Sequence, residues 1–435
     1  MTAVLLQAFK IQVFRVESSQ RYSPMQSTLR SQLLLIIVGN GLMRISSGAS
    51  GVLVGLYLAN LANRGSNVNA ALVGTLGAVS FGAELIGALP MGLGSDAVAP
   101  RALMTGGAVL GALATQLFGL TSRPGIFFLS RSLEGLGAAA TTPSLLAHLT
   151  DVTDRNHALR ARVMSYFELS LLVGLALGGL AGAYLWRFLD ARAFSAVALL
   201  YSLSAGLLFF GAAGSRSHGS KGAISGFYRA LREPSLRRLA PVWLCVNAIV
   251  GLWLGPTFIF LLTRRSQTHQ FLDGALADHP DRVGWVLLGY AIVFGTGVSG
   301  WSVVLPRISE QHALRIALIA MVAVCIGLFL LNHSGGQRPL IRSTLATFST
   351  LCVMVESGFT PAALSLLAGA IGAQAGRGAA MGSYSVLLSI GAIAGSFLAA
   401  ALGQAFAVDG LIYATLAMAV VALVFIRSIG PACRS

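Results

Sequence analysis

Charge is what this chain has least of. Only 15 of its 435 residues are Asp or Glu, and all charged residues together make up 10% of the composition, against about 25% in a soluble globular protein. That scarcity excludes an ordinary water-soluble enzyme. Cysteine is scarcer still: Cys245, Cys325 and Cys352 fall in apolar runs and Cys433 lies near the C-terminus. They lack the paired spacing of a zinc site or a disulfide framework, so four free thiols are expected. The seven histidines (His148, His157, His218, His269, His279, His312 and His333) are scattered, with no His-x-x-x-His pair, no phosphate-binding Gly-Lys loop and no nucleophile elbow. The sequence therefore predicts no enzyme, no metal and no resident cofactor.

What the chain has in quantity is apolar length. Hydrophobic residues make up 55%, with 51 glycines besides, and the mean hydropathy of +0.76 excludes disorder. A bilayer core about 30 Å thick needs about 20 apolar residues per helix. Twelve runs meet that length: Leu33 to Asn60, Ala70 to Leu93, Ala102 to Thr121, Gly125 to Leu149, Val163 to Trp186, Ala193 to Ala213, Pro241 to Leu262, Gly284 to Leu305, Ala313 to Leu331, Thr344 to Leu367, Ala379 to Leu402, and Gly410 to Ile426. The expected fold is an all-α integral membrane protein of twelve transmembrane helices.

In a soluble protein, 30 Lys and Arg against 15 acids would suggest a nucleic-acid partner. Here the positive charges separate apolar runs and read as topology signals. Roughly two-thirds of them fall on the side that holds both termini and the central linker. Both termini are therefore expected in the cytoplasm, in a multi-pass protein of the plasma (inner) membrane that works as a monomer. Its expected partners are the lipid bilayer and a small-molecule substrate, with no nucleic acid. The divisions are a cytoplasmic N-terminal segment 1–32, a six-helix half 33–213, a basic linker 214–239, a second six-helix half 240–427 and a tail 428–435. The run 1–16 reads either as an interfacial helix or as an overlong start, since Met25 stands closer to the first span.

The two halves echo each other. Arg160 and Met164, then Gly174 and Gly178, precede and enter the fifth span; Arg377 and Met381, then Gly391 and Gly395, do the same for the eleventh at one common displacement. Thr142-Pro143 and Thr360-Pro361 repeat at nearly the same displacement. Such a duplication of six-helix units is one that secondary transporters use, with the substrate path between the halves.

Three motifs then point to a family. Gly92-Leu93-Gly94-Ser95-Asp96, with Arg101 opening the next span, suits a close helix approach and a charge pair at the membrane surface. In the fourth span stands Arg131-Ser132-Leu133-Glu134-Gly135-Leu136-Gly137-Ala138-Ala139. The fifth carries Gly174, Gly178, Gly179 and Gly182, small residues that would pack it closely against a helix of the other half. These runs resemble, in order, three signatures of the major facilitator superfamily, departing from the first at Ala97 and Ala99 and from the third at Gly179 and Ala183. The resemblance implies a transporter whose gating-loop residues are Gly92, Asp96 and Arg101. It gives Arg131 a part in proton coupling or in holding its half together, and likens the fifth-span glycines to those of proton-coupled drug-efflux antiporters.

Charges within apolar spans are costly, so they should be paired or line a wet path. Arg44, Glu84, Arg131, Glu134, Glu168 and Glu356 are the candidates for proton coupling or the central cavity. Arg44 with Glu84 is the expected pair, and Glu84 or Glu356 is the expected proton carrier; a permanent structural ion pair is the plainer alternative. Asn247, Trp253 and Tyr384 are further cavity candidates, each of which could equally be packing. The resulting expectation is proton-coupled efflux of a small amphipathic compound. Proton symport of an anionic or polar metabolite, motivated by Arg44, is the first rival, and a non-transporting sensor or scaffold the second.

Overall fold

The computed structural model describes residues 24–97, 99–152, 157–212, 234–363 and 377–428. Residues 1–23, most of the linker and Cys433 lie outside them. Among the described residues the chain is all-helical. Its α-helices are α1 (Pro24–Asn63), α2 (Ala70–Ala97), α3 (Pro100–Gly119), α4 (Pro124–Val152), α5 (His157–Leu189), α6 (Ala193–Gly211), α7 (Pro234–Trp253), α8 (Pro256–Thr263), α9 (Val283–Val304), α10 (Glu310–Asn332), α11 (Pro339–Glu356), α12 (Arg377–Phe406) and α13 (Val408–Phe425). Nine helical stretches among these residues are long and apolar enough to cross a membrane. The outer faces carry exposed Ile86, Leu120, Phe188 and Leu199, as lipid-facing surfaces do. Ser and Thr hydroxyls inside the helices donate to carbonyls one turn back, as Ser46 does to Leu42 and Ser144 to Ala140, leaving them satisfied without water. Cys245, Cys325 and Cys352 are free thiols.

Two expected spans are broken. The expected seventh span runs unbroken from Pro241 to Leu262, but α7 ends at Trp253 and α8 starts at Pro256. Proline lacks the N–H that a continuing helix needs and pushes the residue before it into extended backbone; Gly255 accordingly has φ −74° and ψ 166°. The tenth was read as continuous with Glu356 in mid-helix. Instead α11 stops at Glu356, Ser357–Gly358 form a turn, and helix resumes at Phe359. Pro361 explains this, because its ring excludes a helical bond to the carbonyl of Ser357, four residues back. The break is supported from α9: Trp301 Nε1 donates to the carbonyl of Val355 at 2.9 Å, and its ring packs against Gly358. Pro143, the matching proline in α4, lies inside an unbroken helix.

Helix packing is set by glycine crossings. A Cβ on Gly174, Gly178 or Gly182 would strike the backbone or Cβ atoms of α1 around Arg44, Ile45 and Ala49. Gly391 and Gly395 of α12 are pressed in the same way against Asn247 and Ala248 of α7. This corrects one expectation: three of the four α5 glycines pack on α1, within the first six helices, and only Gly179 reaches across, to Leu287 of α9.

Contacts between α1–α6 and α7–α13 gather at one end of the bundle. There Gly55 meets Pro256 and Ile259, Gly74 meets Ala400, and Gly284 meets Leu180 and Ala183. One hydrophobic core holds Tyr57, Phe118, Phe127 and Phe194 together with Leu261, Ala407 and Leu411. At the opposite end, Leu239, Trp243, Trp301, Leu314, Phe359 and Ile426 form a core of their own, with no member from α1–α6 among the described residues. The bundle is shut at the first end.

Candidate functional site

Arg44 stands halfway along α1. Its Cβ lies over Gly174, which steers the side chain inward, and its Nη2 donates to Thr142 Oγ1 at 3.0 Å. Its guanidinium carbon is 6.0 Å from the Phe167 ring of α5. Glu84 on α2, half-buried, lies within the electrostatic reach of Arg44, whose guanidinium also meets Thr142 of α4. Glu84 is brought inward because Gly135 of α4 admits the α2 backbone at Ser80 and Glu84 with no room for a side chain.

Arg131 and Glu134, three residues apart on α4, form a nearly enclosed ion pair. A charge pair in this environment needs its partner, because removing one leaves the other desolvated. Tyr201 of α6, packed on Gly111 of α3, lies near enough to both groups for its hydroxyl to feel the charges of Glu134, Arg131 and Arg44, with Ser47 of α1 close by. The described side chains at this locus thus include two guanidinium groups, two carboxyl groups and a phenol, held by α1, α2, α4 and α6. Phe167 and Thr142 close it toward α5 and α4. Sequence reasoning missed Ser47, Thr142, Phe167 and Tyr201; Thr142 carried a signal, since it precedes the repeated proline.

Glu356 lies apart from this cluster, at the broken end of α11, with Tyr290 of α9 and Cys325 of α10 near enough to feel its charge. The other sequence candidates divide. Asn247 is buried at the α7–α12 crossing and donates to its own helix at Trp243 O, 2.8 Å. Trp253 caps the end of α7, donating to Thr415 Oγ1 at 2.7 Å and meeting Phe258 edge-on. Arg101 lies over the Phe209 ring at 3.4 Å, a cation–π contact between α3 and α6. The surroundings of Gly92 and the side chains of Asp96, Glu168 and Tyr384 lie outside what the structure describes. Among the described residues no cluster of His, Cys, Asp and Glu could hold a metal.

The described residues thus form an all-helical bundle, shut at one end, with charged groups converging in its membrane-spanning part. The sequence matches the Major Facilitator Superfamily over residues 36–341. The chain belongs to the major facilitator superfamily. Solved transporters of low sequence identity share the fold of this superfamily member. The nucleoside transporter NupG has a TM-score of 0.70 at 14% identity, covering 92% of this chain and 98% of that one. A bacterial homolog of the human lysosomal transporter Spinster, in an inward-facing and unoccupied conformation, has 0.68 at 14% identity, covering 94% and 97%. A curated relative, the gentisate transporter of Corynebacterium glutamicum, is 28% identical over 135 residues, 28% of this chain. The match spans 29% of that relative's length.

Proposed function

We propose that this protein is a twelve-span, proton-coupled carrier of a small organic anion, working by alternating access between two six-helix halves, α1–α6 and α7–α13. The observation that carries the reading is the Arg44 locus. With Glu84 and Glu134 ionised, its described side chains balance two positive charges with two negative ones. When Glu84 takes up a proton the locus gains a net positive charge, which an anionic solute would compensate next to Arg44, Thr142 and Phe167. Proton and anion would therefore be favoured together, the thermodynamic requirement for symport. Guanidinium and hydroxyl donors suit a carboxylate, and the partial similarity to a gentisate transporter agrees with an aromatic acid as cargo. The twin glycine crossings, α5 on α1 and α12 on α7, support the two-half reading.

The excess of Lys and Arg on the side of the termini supports a cytoplasmic location for both, in the plasma membrane. The shut end is then the outer one. No resident cofactor takes part in this reading; the driving force is the proton gradient.

Efflux of an amphipathic compound is the second reading, favoured by the α5 glycine stripe that fixes α1 against α5. Right-side-out vesicles separate the two: the anion reading predicts accumulation of benzoate-like acids that is stimulated by an inward proton gradient and lost in Arg44→Ala. Net extrusion of amphipathic cations, with no acid uptake, would reverse the choice.

A further inference from the structure

The segment between α8 and α9 is folded upon itself. Arg264 Nε meets Asp273 Oδ1 at 3.0 Å, both side chains being almost wholly enclosed. Asp273 Oδ2 also accepts from Thr268 Oγ1 at 2.9 Å and from the Gln267 amide at 3.2 Å. A left-handed glycine, Gly274 with φ +75°, permits the tight return.

This knot is fastened to α10, the end of α12 and α13 by a second set of bonds. Gln270 Nε2 donates to Phe406 O at 2.8 Å and to Asp409 Oδ2 at 3.0 Å, while its Oε1 accepts from the Val408 amide at 3.0 Å. Asn332 Nδ2 donates to Asp409 Oδ1 at 2.8 Å, and Asn332 Oδ1 accepts from the Leu272 amide at 2.9 Å. His333 Nε2 lies 3.3 Å from Asp409.

Toward α1–α6 the polar connections are few. Asn63, the last residue of α1, donates from Nδ2 to Thr263 O at 3.3 Å and accepts the Arg265 amide on Oδ1 at 2.7 Å. Arg187 of α5 meets Asp281 at 3.0 Å with its own side chain 57% exposed. Beside that pair Trp285 Nε1 donates to Tyr184 Oη at 3.1 Å; these residues line a groove of about 590 Å³, so water reaches the pair. Enclosed, multiply bonded groups hold shape, whereas solvent-exposed pairs are weak and exchange readily with water.

We infer that residues 264–282 form a strap that travels as a rigid piece with α8–α13 and shuts the closed end through two releasable clasps, Asn63 on α1 and the Arg187–Asp281 pair on α5. The inference rests on the alternating-access reading for its purpose but not for its geometry. The apolar crossings at this end supply contact area without direction; the clasps set how often it opens.

The test uses the full chain in lipid nanodiscs, with native cysteines replaced by alanine and paired spin labels read by pulsed electron resonance. Labels at Asn67 and His279 report across the clasps; labels at His269 and Gln337 report within the strap and its anchor. In the double variant Asn63→Ala, Arg187→Gln the long-distance population of the first pair should rise about tenfold, the yield of losing two part-exposed polar contacts, while the second pair stays sharp. Molar salt should raise the long-distance population in the parent but not in Arg187→Gln, since screening acts on the ion pair. Asp273→Asn should broaden the second pair. An unchanged first pair in the double variant, or a second pair that broadens with it, overturns the strap. Should the parent carry no solute in vesicles while the distances shift as stated, the transport reading fails and the strap stands.

Discussion

Gly174 offers the sharpest test of how packing governs the charged locus. A methyl group there would collide with the Arg44 Cβ and sit 2.9 Å from its carbonyl carbon, where ordinary carbon contacts begin near about 3.5 Å. Helices α1 and α5 must then separate by roughly half an ångström or more, at an overpacking cost of about 1–3 kcal/mol. Alanine returns about 1 kcal/mol of helix propensity over glycine, so the net destabilisation of Gly174→Ala should be about 0–2 kcal/mol. Transport should suffer more than stability, because the Arg44 guanidinium is carried away from Thr142 and a hydrogen bond to a charged donor contributes about 1.5–3 kcal/mol; a loss of tenfold or more is expected. Gly206 of α6 is the control, since a Cβ there meets nothing within 4 Å; Gly206→Ala should be neutral or stabilising. Thermal unfolding in detergent and uptake into vesicles give the two readouts. Wild-type stability and uptake in Gly174→Ala, or equal losses in both variants, would refute the argument that this crossing positions Arg44.

Four further outcomes are expected. Arg131→Ala leaves Glu134 enclosed without its partner and should abolish transport at a stability cost of about 3–5 kcal/mol; Arg131→Ala with Glu134→Ala should recover much of the stability but not the transport, as measured by thermal unfolding and uptake. Substrate-induced thermal stabilisation, screened with aromatic acids, sugars, nucleosides and drugs, should depend on pH in the parent and lose that dependence in Glu84→Gln; persistence there with loss in Glu356→Gln would move the proton site to α11. Asp409→Ala removes an acceptor shared by Gln270 and Asn332 and should speed amide exchange at Phe271 and Leu272, two of the backbone donors tied to Asn332. Pro256→Ala should let helix run from α7 into α8, which exchange protection at Gly255 would reveal.

An all-helical membrane protein was legible because length and hydropathy suffice to mark a membrane helix, and the glycine pairs because small residues at one-turn spacing have few other uses. The direction in which they pack was not legible: Gly174 and Gly178 face α1, and nothing local to α5 encodes which neighbour fills the groove. The break after Glu356 was present in the letters as Pro361, yet the same Thr-Pro pair sits in an unbroken α4; the difference lies in Trp301, which reaches the freed segment from another helix. Asn247 stayed open between cavity lining and packing because a side chain's aim depends on the helix it faces, and α12 packs on it. The cluster around Arg44 was half visible. Arg44, Glu84, Arg131 and Glu134 betray themselves as charges in apolar runs, whereas Ser47, Thr142 and Tyr201 are residue types that any membrane helix tolerates. The clasps were invisible, since Asn63 and Arg187 find partners in a loop that hydropathy treats as featureless.

The indole of Trp301 gives the molecule a built-in optical probe. Its N–H is tied to the Val355 carbonyl, one residue before Glu356, and its ring lies on Gly358, so emission from this residue reports the state of the interrupted helix directly. The chain has five tryptophans, and replacing the other four with phenylalanine would isolate the signal without any attached dye. A spectral shift on adding acid or solute would show whether α11 rearranges, and would do so on the millisecond scale of a stopped-flow instrument, which steady uptake assays average away.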